Sequence, residues 1–218
     1  MIPSPSALAK SSIACNLELF ATDGDICALT DTAIARGFDS ILVYPTSVSL
    51  CADILYDSEV QLNCTIAYPH GRSTTESKCA EINAVAKLGA QAVTVFLNYS
   101  ALRSGEKNLI NEEIEIISKL TKQLKIKLTC AVEASILKQK QLKYVIQTCA
   151  NWKVDSFLTS YGSTFSECCS HLNDISDRLK SEVKILSFLN KFNKKDAEKL
   201  LKLGAHKILI CENIEKIK

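Results

Sequence analysis

A short pattern recurs along this chain: a helix end, then a glycine, then a run of apolar residues. It occurs with its glycine at Gly37, Gly89 and Gly204. Glycine is favoured just past a helix end because it adopts positive φ at little cost. A period of roughly 25 to 30 residues is typical of a strand followed by a helix. The pattern therefore predicts repeated βα modules.

Eight apolar runs have the length and flanking residues of strands, at about residues 11–19, 39–44, 62–68, 91–97, 125–132, 154–159, 182–188 and 205–211. The segments between them predict helices at about 24–36, 46–57, 74–88, 108–124, 135–150, 164–180 and 194–203, with a short turn near 212–217. Residues suited to capping the helix starts are Asp23, Thr46, Asn108 and Asn193. Eight strands that alternate with helices predict a compact (β/α)8 barrel. No linker divides the chain, so we expect one domain over residues 1–218; a doubly wound open sheet is the alternative.

Charge and hydropathy narrow the classes of function. The 218 residues carry 26 basic and 24 acidic side chains, a balance that gives no reason to expect nucleic acid or a charged membrane surface as partner. No apolar run approaches the roughly 18 residues of a membrane span. The first residues lack the pattern of a secretory signal. We therefore expect a cytoplasmic protein.

Cysteine is abundant, with ten residues in the chain. None forms a C-x-x-C pair, and most fall in apolar stripes, where a thiol behaves as a small apolar side chain. Only three histidines are present, which weakens any case for a metal site. We expect all ten cysteines to be reduced core residues, with no metal and no cofactor.

The most informative stretch is Leu62–Glu106, which has the form of one complete βαβ unit. Ser73 and Glu76 have the spacing of a capping box at the start of its helix. Gly89 ends that helix, a second apolar strand follows, and residues 98–106 are expected to form a polar loop. In barrels of this kind, the loops at the carboxyl ends of the strands carry the chemistry.

This stretch contains several short motifs in a definite order: Tyr68-Pro69-x-Gly71, Thr74-Thr75-x-x-Lys78, Gly89-Ala90, Asn98 and Ala101-Leu102-x-Ser104-Gly105. They resemble the deoxyribose-phosphate aldolase family. Weaker matches extend the resemblance over nearly the whole chain, at 21–26, 43–50, 131–133 and 155–162. The resemblance implies a TIM-barrel class I aldolase that cleaves 2-deoxyribose 5-phosphate through a lysine Schiff base. It also implies a homodimer, and it leaves any other protein partner open.

The positions at which that family carries its catalytic groups hold other residues here. The resemblance places the Schiff-base lysine of the sixth strand at Leu158 and the catalytic aspartate of the fourth strand at Thr94. It places the second lysine, on the seventh strand, at Leu186, and an inward lysine of the fifth strand at Thr129. A first-strand aspartate falls near Ile13. We therefore predict a divergent member that lacks the Schiff-base lysine.

Each replacement removes a chemical capability. Imine formation needs an unprotonated amine, which Leu158 lacks. Proton transfer needs a group that titrates within reach of the substrate, and the hydroxyl of Thr94 does not titrate in the working pH range. Phosphate is bound by backbone N–H groups that glycine leaves accessible. Leu189 and Leu209 would obstruct that approach, and Gly162 is the one phosphate-binding residue retained. We expect no aldol chemistry by the mechanism of the family.

The remaining candidates surround the mouth of the predicted barrel. Glu133, after the fifth strand, is the best candidate acid or base, and a structural carboxylate is its alternative interpretation. The residues expected to line the pocket are Tyr68, Thr94, Asn98, Thr129, Glu133, Leu158, Ser160 and Tyr161. Together with Tyr44 and Tyr99, the two tyrosines either stack on a ligand or plug a vacated pocket, and plugging is favoured. His70 is expected in a solvated loop and Cys130 in the core. Lys127 and Lys184 are expected to reach solvent at the amino-terminal rim.

Three functions follow. The first is a catalytically degenerate barrel retained for binding, regulation or assembly. The second is a lyase that acts on a sugar phosphate through relocated groups. The third is a different enzyme that uses Glu133, since one fold supports many chemistries.

Overall fold

A computed structural model describes residues 7–175 and 182–217, which contain a closed barrel of eight parallel strands. The strands are β1 (Ser12–Cys15), β2 (Ser40–Val43), β3 (Gln61–Ile66), β4 (Ala92–Phe96), β5 (Lys127–Ala131), β6 (Ser156–Leu158), β7 (Lys184–Lys191) and β8 (Lys207–Glu212). The helices described are α1 (Ala7–Lys10), α2 (Asp23–Arg36), α3 (Val48–Ile54), α4 (Thr75–Lys87), α5 (Tyr99–Ser104), α6 (Lys107–Leu124), α7 (Gln139–Asn151), α8 (Phe165–Asp174) and α9 (Lys194–Lys202). Each strand pairs with the next, and β8 pairs with β1. The predicted (β/α)8 barrel is confirmed, and the open sheet is wrong.

Side-chain caps set where several helices begin. Asn193 caps α9 as predicted, by accepting hydrogen bonds from two backbone N–H groups of the first turn. The α4 cap is Thr74 rather than Ser73, because the Thr74 hydroxyl accepts from the backbone N–H of Ser77 at 3.2 Å. At α2 the cap is Thr22, one residue before the predicted Asp23. The predicted caps at positions 46 and 108 are also wrong, since both residues lie inside helical turns.

Two predicted boundaries are wrong in ways that matter near the mouth. The expected loop at 98–106 contains α5, which Asn98 caps and which ends at Gly105 with φ 77°. The helix expected from residue 135 begins at Gln139, because a 3₁₀ turn (Ala134–Ile136) and an extended residue, Leu137, come first. The last residues of the helix predicted over 164–180 lie outside the described residues.

Inward side chains fill the barrel in layers of four, contributed by alternate strands, as the strand registers require. The lower layer is Ile13, Asn63, Thr129 and Leu186; the middle layer is Leu42, Thr94, Leu158 and Leu209; the upper layer is Cys15, Thr65, Ala131 and Phe188. No member of these layers is more than 7% exposed. The interior over these three layers is therefore packed core rather than an open channel.

Charged side chains lie at the amino-terminal rim below these layers. Lys127 Nζ donates to Gln61 Oε1 at 2.9 Å, and Lys207 pairs with Asp39. Lys184 is exposed. The expectation that Lys127 and Lys184 reach solvent at this rim is confirmed.

The cysteines do not all behave as predicted. Cys15 and Cys211 form a disulfide between β1 and β8, so the expectation that all ten are reduced is wrong. The other eight are free thiols. Cys130 is buried beside Cys149 of α7, in agreement with its predicted place in the core. No helix among the described residues has the length and hydropathy needed to cross a membrane.

Candidate functional site

Five aromatic rings lie at the carboxyl end of the barrel, which we call the aromatic cap: Tyr44, Tyr68, Phe96, Tyr161 and Phe188. Tyr68 is central, with its ring centroid 5.6 Å from Tyr44, 5.0 Å from Phe96 and 5.3 Å from Tyr161. All three contacts are edge to face, the geometry that aromatic pairs prefer. Tyr161 also packs on Phe188, with 4.9 Å between the centroids. The rings therefore support one another across the mouth.

The phenols of this region are held in their neutral form. Burial raises the pKa of Tyr68, and burial together with the neighbouring Tyr68 hydroxyl raises the pKa of Tyr161. Tyr99, at the start of α5, has its pKa raised by burial and then by the charge of Glu133. None of the three is therefore suited to act as a phenolate base near neutral pH.

The positions to which the resemblance assigns catalytic groups lie together inside the barrel. Thr94 and Leu158 share the middle layer, and Leu186 and Thr129 lie in the layer below. The Thr94 hydroxyl and the side-chain amide of Asn63 exchange hydrogen bonds at 3.0 and 3.2 Å. Leu158 is 1% exposed and Leu186 is 3% exposed. The interior at this level consists of aliphatic side chains, Thr129 and one hydrogen-bonded polar pair, Asn63 and Thr94. Sequence reasoning missed Asn63, although strand alternation would have indicated its inward direction.

Among the described residues, Lys78 is the one buried lysine, and it lies outside the barrel wall. Its Nζ donates to the carbonyl oxygen of Phe96 at 2.8 Å and pairs with Glu113 of α6. Burial raises the pKa of Glu113, against the opposing effects of Lys78 and of the Asn98 backbone N–H. The pair therefore holds the end of β4 rather than presenting an amine to the mouth. The signal for its burial was the spacing of Lys78 from Ile82, which puts both on one face of α4.

Glu133 is held by the loops around it. Its Oε1 accepts from the hydroxyls of Ser135 at 2.8 Å and Ser163 at 2.7 Å. The backbone N–H groups of Ser135 and Tyr161 also donate to the carboxylate, each at 3.3 Å. A carboxylate offers about four acceptor positions, so these four donors occupy most of its capacity. This is the geometry of a carboxylate that ties the β5 and β6 loops together.

The other predicted pocket residues are divided between the mouth and the helices. Asn98 Oδ1 accepts from the backbone N–H of Ala101 and caps α5. Ser160 Oγ lies 3.5 Å from Cys168 Sγ of α8, so its polar atom faces the helix layer. Gly162 is exposed with φ 109°, and His70 is exposed in its loop. Only the tyrosines and the residues of the interior layers therefore meet beneath the mouth.

The segment after the predicted end of the seventh strand continues as strand. β7 runs to Lys191, with Leu189 opposite Ile210 and Lys191 opposite Glu212. The Phe192 N–H donates to the Glu212 carbonyl oxygen at 2.9 Å. The predicted end at residue 188 is therefore too early. The backbone groups of this segment are committed to the β7–β8 ladder instead of forming an open anion-binding loop.

Groups suited to metal binding do not gather near the mouth. Across residues 7–175 and 182–217, no three histidine, cysteine, aspartate or glutamate side chains form a group that could hold a metal ion. His171 of α8 is buried, and within the described part of the chain its Nδ1 has no hydrogen-bond partner. Burial lowers the pKa of His171, while the charges of Glu133, Glu167 and Asp174 oppose that shift.

Comparison with known proteins identifies relatives over most of the chain. The deoxyribose-phosphate aldolase of Treponema denticola is 27% identical over 191 residues, which cover 86% of this chain and 88% of that protein. The deoxyribose-phosphate aldolase of Thermoanaerobacter pseudethanolicus is 36% identical over 102 residues, 47% of this chain and 46% of that protein. No protein-family model matches the chain.

Solved structures share the fold at lower identity. An aldolase named QR15 superimposes with a TM-score of 0.85 and 22% identity, covering 96% of this chain and 94% of that chain. The tetrameric deoxyribose phosphate aldolase of Aeropyrum pernix superimposes with a TM-score of 0.86 and 20% identity, covering 96% of this chain and 88% of that chain. The closed barrel and these likenesses together define the fold as a (β/α)8 barrel. Over most of its length the chain is similar in sequence to deoxyribose-phosphate aldolases, at 27% identity to the Treponema denticola protein.

Proposed function

We propose that this chain is a catalytically degenerate deoxyribose-phosphate aldolase-like protein that serves a binding, regulatory or structural role. The observation that carries the proposal is the burial of Leu158 beside Thr94 in the middle layer. An imine-forming enzyme needs a lysine amine that its substrate can reach. At this position the chain has an aliphatic side chain, and the aromatic cap lies above it.

The end of the barrel that would hold a phosphate supports the same proposal. The family's glycines give backbone N–H groups close access to an anion. Here β7 continues to Lys191, and Asn190 Nδ2 donates to Glu212 Oε1 at 3.0 Å. Leu189 is buried. A sugar phosphate would have to break this pairing to bind as it does in an active family member.

The proposal extends to location and assembly. A cytoplasmic location agrees with eight free thiols, since free cysteines persist in reducing compartments. We also propose a homo-oligomer, in line with the tetramer named for the Aeropyrum pernix protein. Light scattering coupled to gel filtration tests the assembly, and a single species of about 24.0 kDa would contradict it.

Borohydride trapping tests the loss of imine chemistry. The folded protein is incubated with 2-deoxyribose 5-phosphate or with acetaldehyde, reduced with borohydride, and analysed by intact mass and peptide mapping. We expect no stoichiometric adduct on any one lysine. The deoxyribose-phosphate aldolase of Treponema denticola, treated in parallel, is the positive control. A single adduct at one lysine of this chain would overturn the proposal and establish an aldolase with a relocated amine.

Thermal shift against phosphosugars tests the alternative of a sugar-phosphate lyase. Ligand that binds only the folded state raises Tm in proportion to RT ln(1 + [L]/Kd). We expect no change in Tm with millimolar 2-deoxyribose 5-phosphate. A concentration-dependent rise that Glu133→Gln abolishes would instead favour an enzyme that uses Glu133 as its acid or base.

A further inference from the structure

The one disulfide found among the described residues lies where the barrel closes on itself. β1 and β8 pair in parallel, with Ser12 opposite Ile208 and Ala14 opposite Ile210. Cys15 is therefore opposite Cys211, one position beyond the last pair. Both side chains have the inward direction of their strands, and their Cα atoms are 4.8 Å apart.

The backbone at this seam accommodates the pair both as thiols and as a disulfide. A Cα separation of 4.8 Å equals the ordinary spacing of neighbouring strands in a sheet. The same separation falls within the range of roughly 4.4–6.8 Å found for disulfides. Bond formation and bond cleavage therefore require no movement of β1 against β8.

Access to the two sulfurs is unequal. Cys15 is fully buried in the upper layer, whereas Cys211 is half-buried at the mouth. The Tyr161 hydroxyl of the aromatic cap lies 3.6 Å from Cys211 Sγ. Of the two cysteines, Cys211 is therefore the one nearer to solvent at the mouth, while Cys15 is shielded.

We propose that Cys15 and Cys211 form a reversible redox site at the barrel mouth, which exchanges with small thiols of the glutathione class. In reduction, the thiolate of the small thiol attacks Cys211 Sγ, and Cys15 leaves as a thiolate and takes up a proton. A second small thiolate attacks the small-molecule sulfur of the mixed disulfide and releases Cys211. Two small thiols thus supply the two electrons and leave as one disulfide; oxidation is the reverse. The proposal is independent of the proposed function.

A stability difference between the two states follows from the position of the bridge. The disulfide joins residues 196 positions apart in the chain, so it restricts nearly the entire unfolded chain. Cross-links over long loops stabilise chiefly through this restriction, and for a chain of this size the typical effect corresponds to a Tm rise of about 5–15 °C. The oxidised protein should therefore melt well above the reduced one.

Counting thiols tests whether the bridge forms. The folded protein is equilibrated with oxidised glutathione, then denatured in maleimide and weighed intact, with and without prior reduction. We expect eight maleimides on the oxidised protein and ten after reduction, from eight free cysteines among ten. Peptide mapping should join Cys15 to Cys211. Ten maleimides after oxidation, or a bridge between any other pair, would overturn the proposal.

Reversibility is tested on the folded protein with two matched variants. Reduced glutathione should convert eight labelled thiols to ten while near-ultraviolet circular dichroism stays native. Cys211→Ala should have a single Tm, equal to that of the reduced protein, in both buffers. Cys79→Ala removes another half-buried cysteine, a free thiol of α4, and should retain the full Tm difference. A bridge that is reduced only in denaturant would show a fixed structural disulfide and contradict the proposal.

Discussion

The unit from β3 to α5 and the unit from β6 to β8 belong to one barrel, but the aldolase motifs are matched mainly in the first, where Thr94 is the exception. In the first unit the retained residues act on the backbone of this chain. Lys78 holds the Phe96 carbonyl oxygen, Asn98 caps α5, and Gly105 ends it. These residues stabilise the conformation of the β4 end and of the loop after it, and that role does not depend on whether the barrel catalyses a reaction.

In the unit from β6 to β8, the positions that the resemblance assigns to the family's reactive lysines hold leucines. Leu158 and Leu186 fill two interior layers, and β7 runs on to Lys191 where an anion-binding loop would be expected. Tyr161 and Phe188 add to the aromatic cap. The difference indicates that the residues which shape the backbone near β4 are separate from those that fill the interior and the mouth between β6 and β8.

The largest effect is expected from a substitution that puts a lysine at position 158, where the resemblance places the Schiff-base lysine. Leu158→Lys places an amine in the middle layer, where burial favours its neutral form. At pH 7 the neutralisation of a buried lysine costs about 4–5 kcal/mol of stability. We expect a loss of that size in the free energy of unfolding measured with urea, and still no borohydride-trapped adduct.

Leu158→Met, which conserves volume, is the control for this substitution and should cost less than about 1.5 kcal/mol. Imine formation by Leu158→Lys would show that the surrounding site survives and that one residue separates the two states. The difference between the two units would then depend on the single residue at position 158.

The second prediction concerns the unit from β3 to α5. Lys78→Met leaves Glu113 buried without its partner and removes the donor to the Phe96 carbonyl oxygen. Breaking a buried ion pair from one side typically costs about 3–5 kcal/mol. Urea unfolding should show this loss, and Lys78→Met/Glu113→Leu should recover part of it because no unpaired charge remains. A single variant as stable as the parent chain would remove the structural role assigned to Lys78.

Gly71→Ala tests the same unit with a smaller expected effect. Gly71 has φ 62°, and a Cβ there would overlap the backbone carbonyl oxygens of Phe96 and Leu97. Backbone cannot yield as a flexible side chain does, so we expect a loss of about 2–4 kcal/mol in the free energy of unfolding.

Gly105→Ala is the matched control, since Gly105 also has positive φ but a Cβ there would meet nothing within 4 Å. Its expected cost is about 1 kcal/mol, from conformation alone. Equal costs for the two variants would show that the close approach at Gly71 contributes nothing.

The sequence predicted the barrel because local signals sufficed for it. Apolar runs mark the strands and a glycine stop precedes three of them, whereas the expectation that Leu158 and Thr94 line the interior came from the resemblance. The sequence did not predict the short helix α5, because residues 98–106 are too polar to show helical periodicity. Its cap, Asn98, and its terminating glycine, Gly105, were both visible as motifs but were interpreted as parts of a loop.

The features that sequence could not predict depend on which residues meet across strands. Cys15 and Cys211 carry no common motif, and only the β1–β8 register makes them neighbours. The extension of β7 to Lys191 likewise depends on the presence of β8 beside it. Glu133 was proposed as an acid or base, and its four donors come from loops whose paths no local pattern specifies.

The smallest effect expected is in the pH dependence of stability, and it isolates Tyr161 in the unit from β6 to β8. Burial raises its folded-state pKa, so the folded chain keeps the phenolic proton when the unfolded phenol loses it near pH 10. The stabilisation is therefore present below about pH 10 and is lost as pH rises above it, by at most about 1.4 kcal/mol at pH 11. Buried thiols such as Cys64, whose pKa burial also raises, contribute with the same sign, so slopes must be compared between variants.

Tyr161→Phe should flatten the fall in unfolding free energy between pH 10 and pH 11, measured by urea titration at each pH. Tyr56→Phe, at a side chain that is 87% exposed, measures the effect of removing a phenol from the surface. A slope that Tyr161→Phe leaves unchanged would mean that the Tyr161 hydroxyl meets solvent freely. The aromatic cap would then be open above Leu158. The rings of Tyr161 and Phe188 would in that case not close the barrel mouth, which is the role assigned to them in the unit from β6 to β8.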